Sequence, residues 1–497
     1  MLLLLLAPPA FALTITGTSC TVQADNVLRY NCASTTDVSA NSWVRFCQGS
    51  SCTPLSRTST VATGGTSHAM TMYNLRAGTT YTWQGVASTG GTPVYGPVNT
   101  FTTGSLPAEL SPLSFSVSGS PGPLVNVLFP FAHQTTSMSP DPDFDWLVIT
   151  DTSGYIVWYL DPSLDTGSDL RISGLSITRP DHHVLAILGN HFVAEYAFTG
   201  ELLRLYCHDE GSGLCLNSVA ADAMFDNYVS HDVSLANGKI WVLNSSNQDV
   251  ADTENHCDGT DDISPAIVDG VYGFDVTDDS LDVDWLSSSV LDVSYADCTG
   301  GPGYWDLLGL VGNDVTHANS LFIDANDGMT ISLDKWQEVI YVDGDLGSGT
   351  YGELMWTLAG AAAETSDDFT RTGTLYDDDF GDQHSVFWTQ DATLLMLDNH
   401  RGTTAGYSRG IELDVDFTYG TTEILNEYNM GVTNDTGGSA FDMLPSGNVL
   451  ATSPDTNQFT YFKEFDGTNS VVWSMTLTCT GACTRSGPSY RGIANPF

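Results

Sequence analysis

The chain has 497 residues, too many for one ordinary domain, and its 41% hydrophobic and 10% aromatic content can fill large cores, which excludes wholesale disorder. Lys and Arg number 15 against 60 Asp and Glu, a formal charge of −45. A field of that sign repels phosphate backbones and anionic membranes, so nucleic acid is set aside as a partner and a solvated acidic surface is expected.

Residues 1–12 are a leucine run followed by Ala10-Phe11-Ala12, a small-x-small pattern that reads as a signal peptide although it lacks a basic start. No later stretch is apolar for long enough to form a membrane helix. The ten cysteines fall in near neighbours: Cys20 and Cys32, Cys47 and Cys52, Cys207 and Cys215, Cys257 and Cys298, Cys479 and Cys483. Nearest-neighbour disulfides are expected, and with them a periplasmic or extracellular address. No pair has zinc-like spacing with a second pair to match.

Residues 13–104 alternate Ser, Thr and Gly with isolated apolar residues, the texture of short antiparallel strands. Within them, Leu75-Arg76-Ala77-Gly78-Thr79-Thr80-Tyr81, followed by Thr82-Trp83-Gln84, resembles the tyrosine-corner region of fibronectin type III domains, and Val98–Gly104 resembles their last strand. That likeness implies a small β-sandwich acting as a stalk or accessory module. Residues 105–123 are rich in Pro, Ser and Gly and read as a linker or strap.

Residues 124–497 repeat loosely: an apolar strand, a turn with Gly or Asp, a second strand, then an acidic turn and a strand ending near Trp. Copies open at Phe144, His183, His231, His317, Gln383 and Gly438, and several close at a tryptophan, as at Trp158, Trp285, Trp356 and Trp473. Six copies of an antiparallel unit predict an all-β fold, a six-bladed β-propeller preceded by the sandwich. His231, His317 and His384 stand near the start of the first strand in consecutive copies. First strands of a propeller line its channel, so this register predicts three imidazoles around one cavity.

The run Asn313-Asp314-Val315-Thr316-His317-Ala318-Asn319-Ser320 resembles a hallmark of the bacterial arylsulfate sulfotransferases. So do Asp382-Gln383-His384 with Leu397-Asp398-Asn399 and Ser408-Arg409, His231-Asp232 with Asn237-Gly238, and Leu444–Leu450 with Tyr490-Arg491. The resemblance implies a periplasmic enzyme that transfers a sulfuryl group from an aryl sulfate to a phenol without a nucleotide donor. His384 would be the nucleophile and become transiently sulfated; His231 and His317 would bind the sulfuryl oxygens or shuttle protons. Asn319 would hold an oxygen of the same group. The family carries an arginine on the strand after the His-x-Asn motif, where this chain has Lys335, a point charge in place of a planar fork. Arg401, Arg409 and Arg491 are further candidate cations for substrate binding.

No cofactor is expected. The acidic turns with Asp324, Asn326, Asp327 and Gly328, with Asp377-Asp378-Asp379 and with Asp261-Asp262 leave structural calcium as an alternative, without the complete ligand spacing of a calcium loop. Two other functions fit the residues: a non-catalytic propeller that binds a polymer or surface protein, and a metal-dependent hydrolase or lyase that uses the three histidines as ligands.

Overall fold

The computed structural model describes residues 12–497 except 134–143, 179–181, 209–220, 252–262, 294–312, 361–362, 364–366, 374–379, 400–407, 432–439, 445, 455–458, 480–485, 488–492 and 496–497. The fold is all-β: among the described residues the α-helix is a single turn, Ser163–Thr166. No described helix is long and apolar enough to cross a membrane. The chain divides into two compact units, residues 1–111 with 155–160, and residues 112–154 with 161–497.

The N-terminal unit has one sheet of Ile15–Val22, Tyr30–Thr36 and Ser67–Met72, and a second of Arg57–Thr58, Asn41–Gln48, Thr80–Ser88 and Val94–Thr102. Alternation decides which face is buried: Tyr30, Cys32, Ser34 and Thr36 point inward while the residues between them are exposed. Tyr81 is fully buried, and its hydroxyl accepts the Arg76 backbone N–H at 2.8 Å, locking the turn before its own strand. Cys20 and Cys32 are paired neighbours across two strands and are disulfide-bonded, as are Cys47 and Cys52. In the larger unit Cys207 and Cys479 each take part in a disulfide, while Cys215, Cys257, Cys298 and Cys483 lie outside the described residues.

Among its described residues the larger unit carries six sheets of four or five strands, in chain order. Their leading strands are Ile172–Ile177, Tyr228–Ala236, Ala318–Ile323, Gln383–Trp388 and Ala440–Met443 in the second to sixth sheets, while in the first sheet Ile493–Asn495 joins Asn126–His133 from the C-terminal end. Each leading strand lies beside the next, and Ile493–Asn495 touches both Ala440–Met443 and Ile172–Ile177, so the six make a closed circuit. They surround a cavity of about 540 Å³ to which all six contribute, among them Ser176, Ser234, Leu321, Phe387, Asp442 and Ile493.

The segment expected as a linker or strap contains a strand. Leu113–Gly119 pairs antiparallel with Val471–Cys479 as the outer strand of the sixth sheet, and Ser114 Oγ donates to Thr478 O at 3.3 Å across 364 positions. Behind it the Gly122 N–H meets the fully buried Glu464 carboxylate at 3.0 Å, and Asn448 Nδ2 donates to the same group at 2.7 Å. The second sheet begins earlier than the repeat suggested, at Ile172, so that His183 precedes its second strand, Val184–Leu188.

The aromatic punctuation of the repeat is explained by contacts between successive sheets. Trp285 in the third sheet donates to Gly352 O in the fourth at 3.2 Å, and Trp473 in the sixth donates to Thr152 O beside the first at 3.0 Å. Tyr206 in the second donates to Asp279 in the third at 2.7 Å. Trp356 in the fourth packs edge-on against Phe369 and Trp388 of the fifth. Each ring buries apolar area against the neighbouring sheet while its polar tip finds an acceptor there or stays at the rim.

Candidate active site

Three successive leading strands carry the three histidines at the same end. In each, the ladder slips at that point: by two residues between Ser230 and Val233, and by one between Ala318 and Ser320 and between His384 and Phe387. The backbone is left-handed at His231 (φ 59°) and His317 (φ 48°), and at Asp382 (φ 48°) and Ser385 (φ 53°) on either side of His384. Side chains other than glycine in this region cost about 1–3 kcal/mol each, and bulges re-aim the residues they displace, so the same device recurs where the histidines must be turned.

His231 and His317 are brought together, with ring centroids 5.0 Å apart and edge to face. His317 Nδ1 lies 2.5 Å from Asp314 Oδ2. A carboxylate accepts, so Nδ1 carries a proton. Behind this pair is Asp269, nearly fully buried: its Oδ1 takes the Ser245 hydroxyl at 2.5 Å, and its Oδ2 takes Thr316 Oγ1 at 2.6 Å and the Ala318 N–H at 2.7 Å. Asp269 therefore grips the residues on both sides of His317. Burial alone would lower the His317 pKa, but Asp314, through charge and hydrogen bond, with Asp334 and Asp269 further off, raises it to about 9. Burial, with the Asp314 charge, lifts the Asp269 carboxyl to about 6 against the hydrogen bonds it accepts.

His384 is 4% exposed, and its Nδ1 lies 3.0 Å from Asp382 O. A carbonyl can only accept, which puts the proton on Nδ1 and the basic lone pair of the neutral ring on Nε2. Asn399 Nδ2 stands 3.3 Å from the same Nδ1, a longer contact. The loop around His384 is tied on both sides. Gln383 O accepts from Asn319 Nδ2 at 2.8 Å and Ser332 Oγ at 3.2 Å, while Gln383 Nε2 donates to Leu333 O and Glu338 O at 3.0 and 2.9 Å. Asp398 accepts the Gly381 N–H at 3.0 Å, and the Val386 N–H meets Ser320 Oγ at 2.9 Å.

The other expected site residues are placed differently. Asn319 is fully buried and spends its amide on the Gln383 carbonyl. Arg409 is 5% exposed and is held by Asp398 and Glu427, each at 3.0 Å. Lys335 lies not on a strand but on the exposed turn between Met329–Leu333 and Glu338–Val342; the adjacent Asp334 N–H bonds to His317 O at 3.0 Å. Arg401 and Arg491 lie outside the described residues, as do Asp377–Asp379 and Asp261-Asp262. In the other acidic turn, Asp324 accepts the Asn326 and Gly328 N–H groups and the Tyr341 hydroxyl, while Asp327 receives Asn237 and Lys239. Among the described residues no three His, Cys, Asp or Glu are grouped to hold a metal ion.

Sequence reasoning assigned no role to Asp314, Asp269 or the Asp382 carbonyl. Asp314 had a visible signal, an acid three residues before the histidine in the same motif; Asp269, 48 residues upstream, had none.

The arylsulfotransferase (ASST) family model matches residues 125–478. The chain belongs to the arylsulfotransferase family. The match spans all three histidine-bearing strands. No curated protein matches the chain. Among solved structures, it is similar to a protein of unknown function from Bacteroides caccae at 11% identity and a TM-score of 0.38, covering 74% of this chain and 98% of that one. A β-propeller domain from Myceliophteria thermophila matches at 11% identity and a TM-score of 0.32, covering 70% and 97%. A streptogramin B lyase matches at 9% identity and a TM-score of 0.34, covering 74% and 98%.

Proposed function

We propose that the protein transfers a sulfuryl group from an aryl sulfate to a phenol through a sulfated His384, with no nucleotide donor. The observation that carries this reading is the Asp382 carbonyl 3.0 Å from His384 Nδ1, which favours the proton there and Nε2 as the nucleophilic nitrogen, one sheet from the His231–His317 pair. Family membership supports the reaction class.

In the first half-reaction the Nε2 lone pair forms an N–S bond as the bond from sulfur to the aryl oxygen breaks. The electron pair departs on the phenolate, which takes a proton from a neighbouring imidazole. The sulfated ring is cationic, and the Asp382 carbonyl at its Nδ1–H stabilises that charge. In the second half-reaction the same imidazole takes the acceptor's proton, the acceptor oxygen attacks sulfur, and the N–S electron pair returns to Nε2. Asn319 serves by fixing Gln383, the residue before the nucleophile, and Arg409 by holding Asp398, which anchors Gly381.

The larger unit is proposed to be a six-bladed propeller, supported by six sheets whose leading strands form a closed circuit. The N-terminal unit is proposed to be fibronectin type III-like, supported by the buried Tyr81 and its bond to Arg76. The disulfides support an address outside the cytosol.

The test is release of 4-nitrophenolate from 4-nitrophenyl sulfate by purified protein, with and without phenol. Release that rises with phenol and disappears in His384→Ala is expected. Release that ignores phenol and stops with a chelator would overturn the reading in favour of a metal-dependent sulfatase, and no release from folded protein would favour a binding module.

A further inference from the structure

The three histidines are not electrostatically equivalent, because one has a carboxylate of its own. We infer that Asp314 is a positioning residue that fixes His317 as a standing positive charge toward the sulfuryl oxygens, leaving His231 to move the proton. This rests on the sulfuryl-transfer reading above and divides the labour within it.

The geometry is specific to His317. Its Nδ1–H points to Asp314 Oδ2 at 2.5 Å, so the ring cannot rotate without breaking a charge-assisted bond. Asp269 holds Thr316 and Ala318 on either side. Among the described residues, Asp314, Asp334 on the following turn, Asp269 on the third sheet and the His231 ring face it. Three acids against one imidazole favour its charged form, and the ring's pKa of about 9 agrees.

An aryl sulfate stays anionic at any working pH, so its oxygens need a cation in a protein whose formal charge is −45. Arg409 is neutralised by two carboxylates, and Lys335 sits on an exposed turn where solvent and salt screen it. His317 is the described cation seated among the histidines. Such a ring is a poor proton shuttle near neutrality, because it gives up its proton about two pH units above the optimum for general acid–base work. Edge to face with it, His231 is placed to take that part.

The experiment compares wild type with Asp314→Asn in two ways. Nitrogen-15 histidine NMR between pH 6 and 10 reads the charge of His317 directly, and binding of inorganic sulfate reads the anion site, neither requiring turnover. In the wild type His317 stays cationic past pH 8, with sulfate binding lost as it deprotonates. In Asp314→Asn it titrates near the ordinary histidine value, so at pH 8 sulfate binding and kcat/KM fall roughly thirty-fold, the expected ratio for a pKa near 6.5, and the deficit closes as pH is lowered to 6. A variant with one fixed deficit at every pH, or a wild-type His317 that is neutral at pH 7, would overturn the inference. Wild type that binds sulfate with this pH dependence but turns over no aryl sulfate would leave the charge assignment standing and remove the sulfotransferase reading. Turnover with normal pH dependence in Asp314→Asn would do the reverse.

Discussion

The Asn319 side-chain amide donates to the main-chain carbonyl of Gln383 at 2.8 Å, and Gln383 immediately precedes His384. One leading strand thereby sets the backbone from which His384, the proposed nucleophile, is projected on the next. Truncation to Asn319→Ala leaves that buried carbonyl the longer bond from Ser332 Oγ at 3.2 Å. The expected result is a kcat loss of roughly ten- to a hundred-fold with a smaller change in KM, and a stability cost of about 1–2 kcal/mol. Steady-state kinetics and thermal unfolding on the same preparation check both.

Asp145 carries a pH-dependent stability term. It is 4% exposed, its Oδ2 accepts the Ile172 N–H at 2.7 Å, and burial raises its pKa to about 8 despite that bond and the Arg171 charge. The folded state binds this proton more tightly than the unfolded state, so the contribution is complete below pH ~4 and is lost as pH rises through about 8. Asp145→Asn keeps an acceptor for Ile172 and removes the titration. Melting temperatures of the two proteins are expected to diverge from pH 5 to pH 9 in favour of the variant, by an amount worth a few kcal/mol at the alkaline end. Parallel curves would contradict this.

Ring closure at the sixth sheet predicts where the larger unit tolerates shortening. A chain beginning at residue 112 keeps Leu113–Gly119 paired with Val471–Cys479; one beginning at 121 leaves that strand as an open edge. The first is expected to yield a cooperatively melting unit and the second a less stable, association-prone one, as read by calorimetry and light scattering.

The Cys20–Cys32 bridge closes a segment with a sequence separation of 12. Replacing both with serine is expected to cost the N-terminal unit about 2–3 kcal/mol in urea unfolding through the freed chain entropy of its unfolded state.

Much of this molecule was legible in its sequence where the same physical demand recurs. Trp285 and Trp473 reach the neighbouring sheet from the fourth strands of their sheets, so the need to bury a ring at each junction wrote a periodic signal. The register of His231, His317 and His384 was visible for the same reason, each standing within three residues of the start of a leading strand. Electrostatic partners leave no such period. Asp269 reaches Ala318 across 49 positions, and Arg409 looks like an available cation until Asp398 and Glu427 are seen beside it. The strand Leu113–Gly119 was hidden because serine alternating with apolar residues between prolines reads as a linker, and its partner lies at the far end of the chain.

That distant pairing also governs the order in which the larger unit can be made. Leu113–Gly119 is the first of its strands to be synthesised, yet its partner, Val471–Cys479, is among the last, and Asn126–His133 must wait longer still for Ile493–Asn495. Intermediate sheets can form locally as the chain grows, but the sixth and first sheets stay incomplete until Val471–Cys479 and Ile493–Asn495 have been made. Lengthening the closed loop adds little to the equilibrium cost, since each doubling costs only about 0.6 kcal/mol, but such long-range pairing is slow to find. The nascent chain therefore carries two unfinished sheet edges while the residues between these strands are made, and the unit becomes resistant to proteolysis and self-association once they pair.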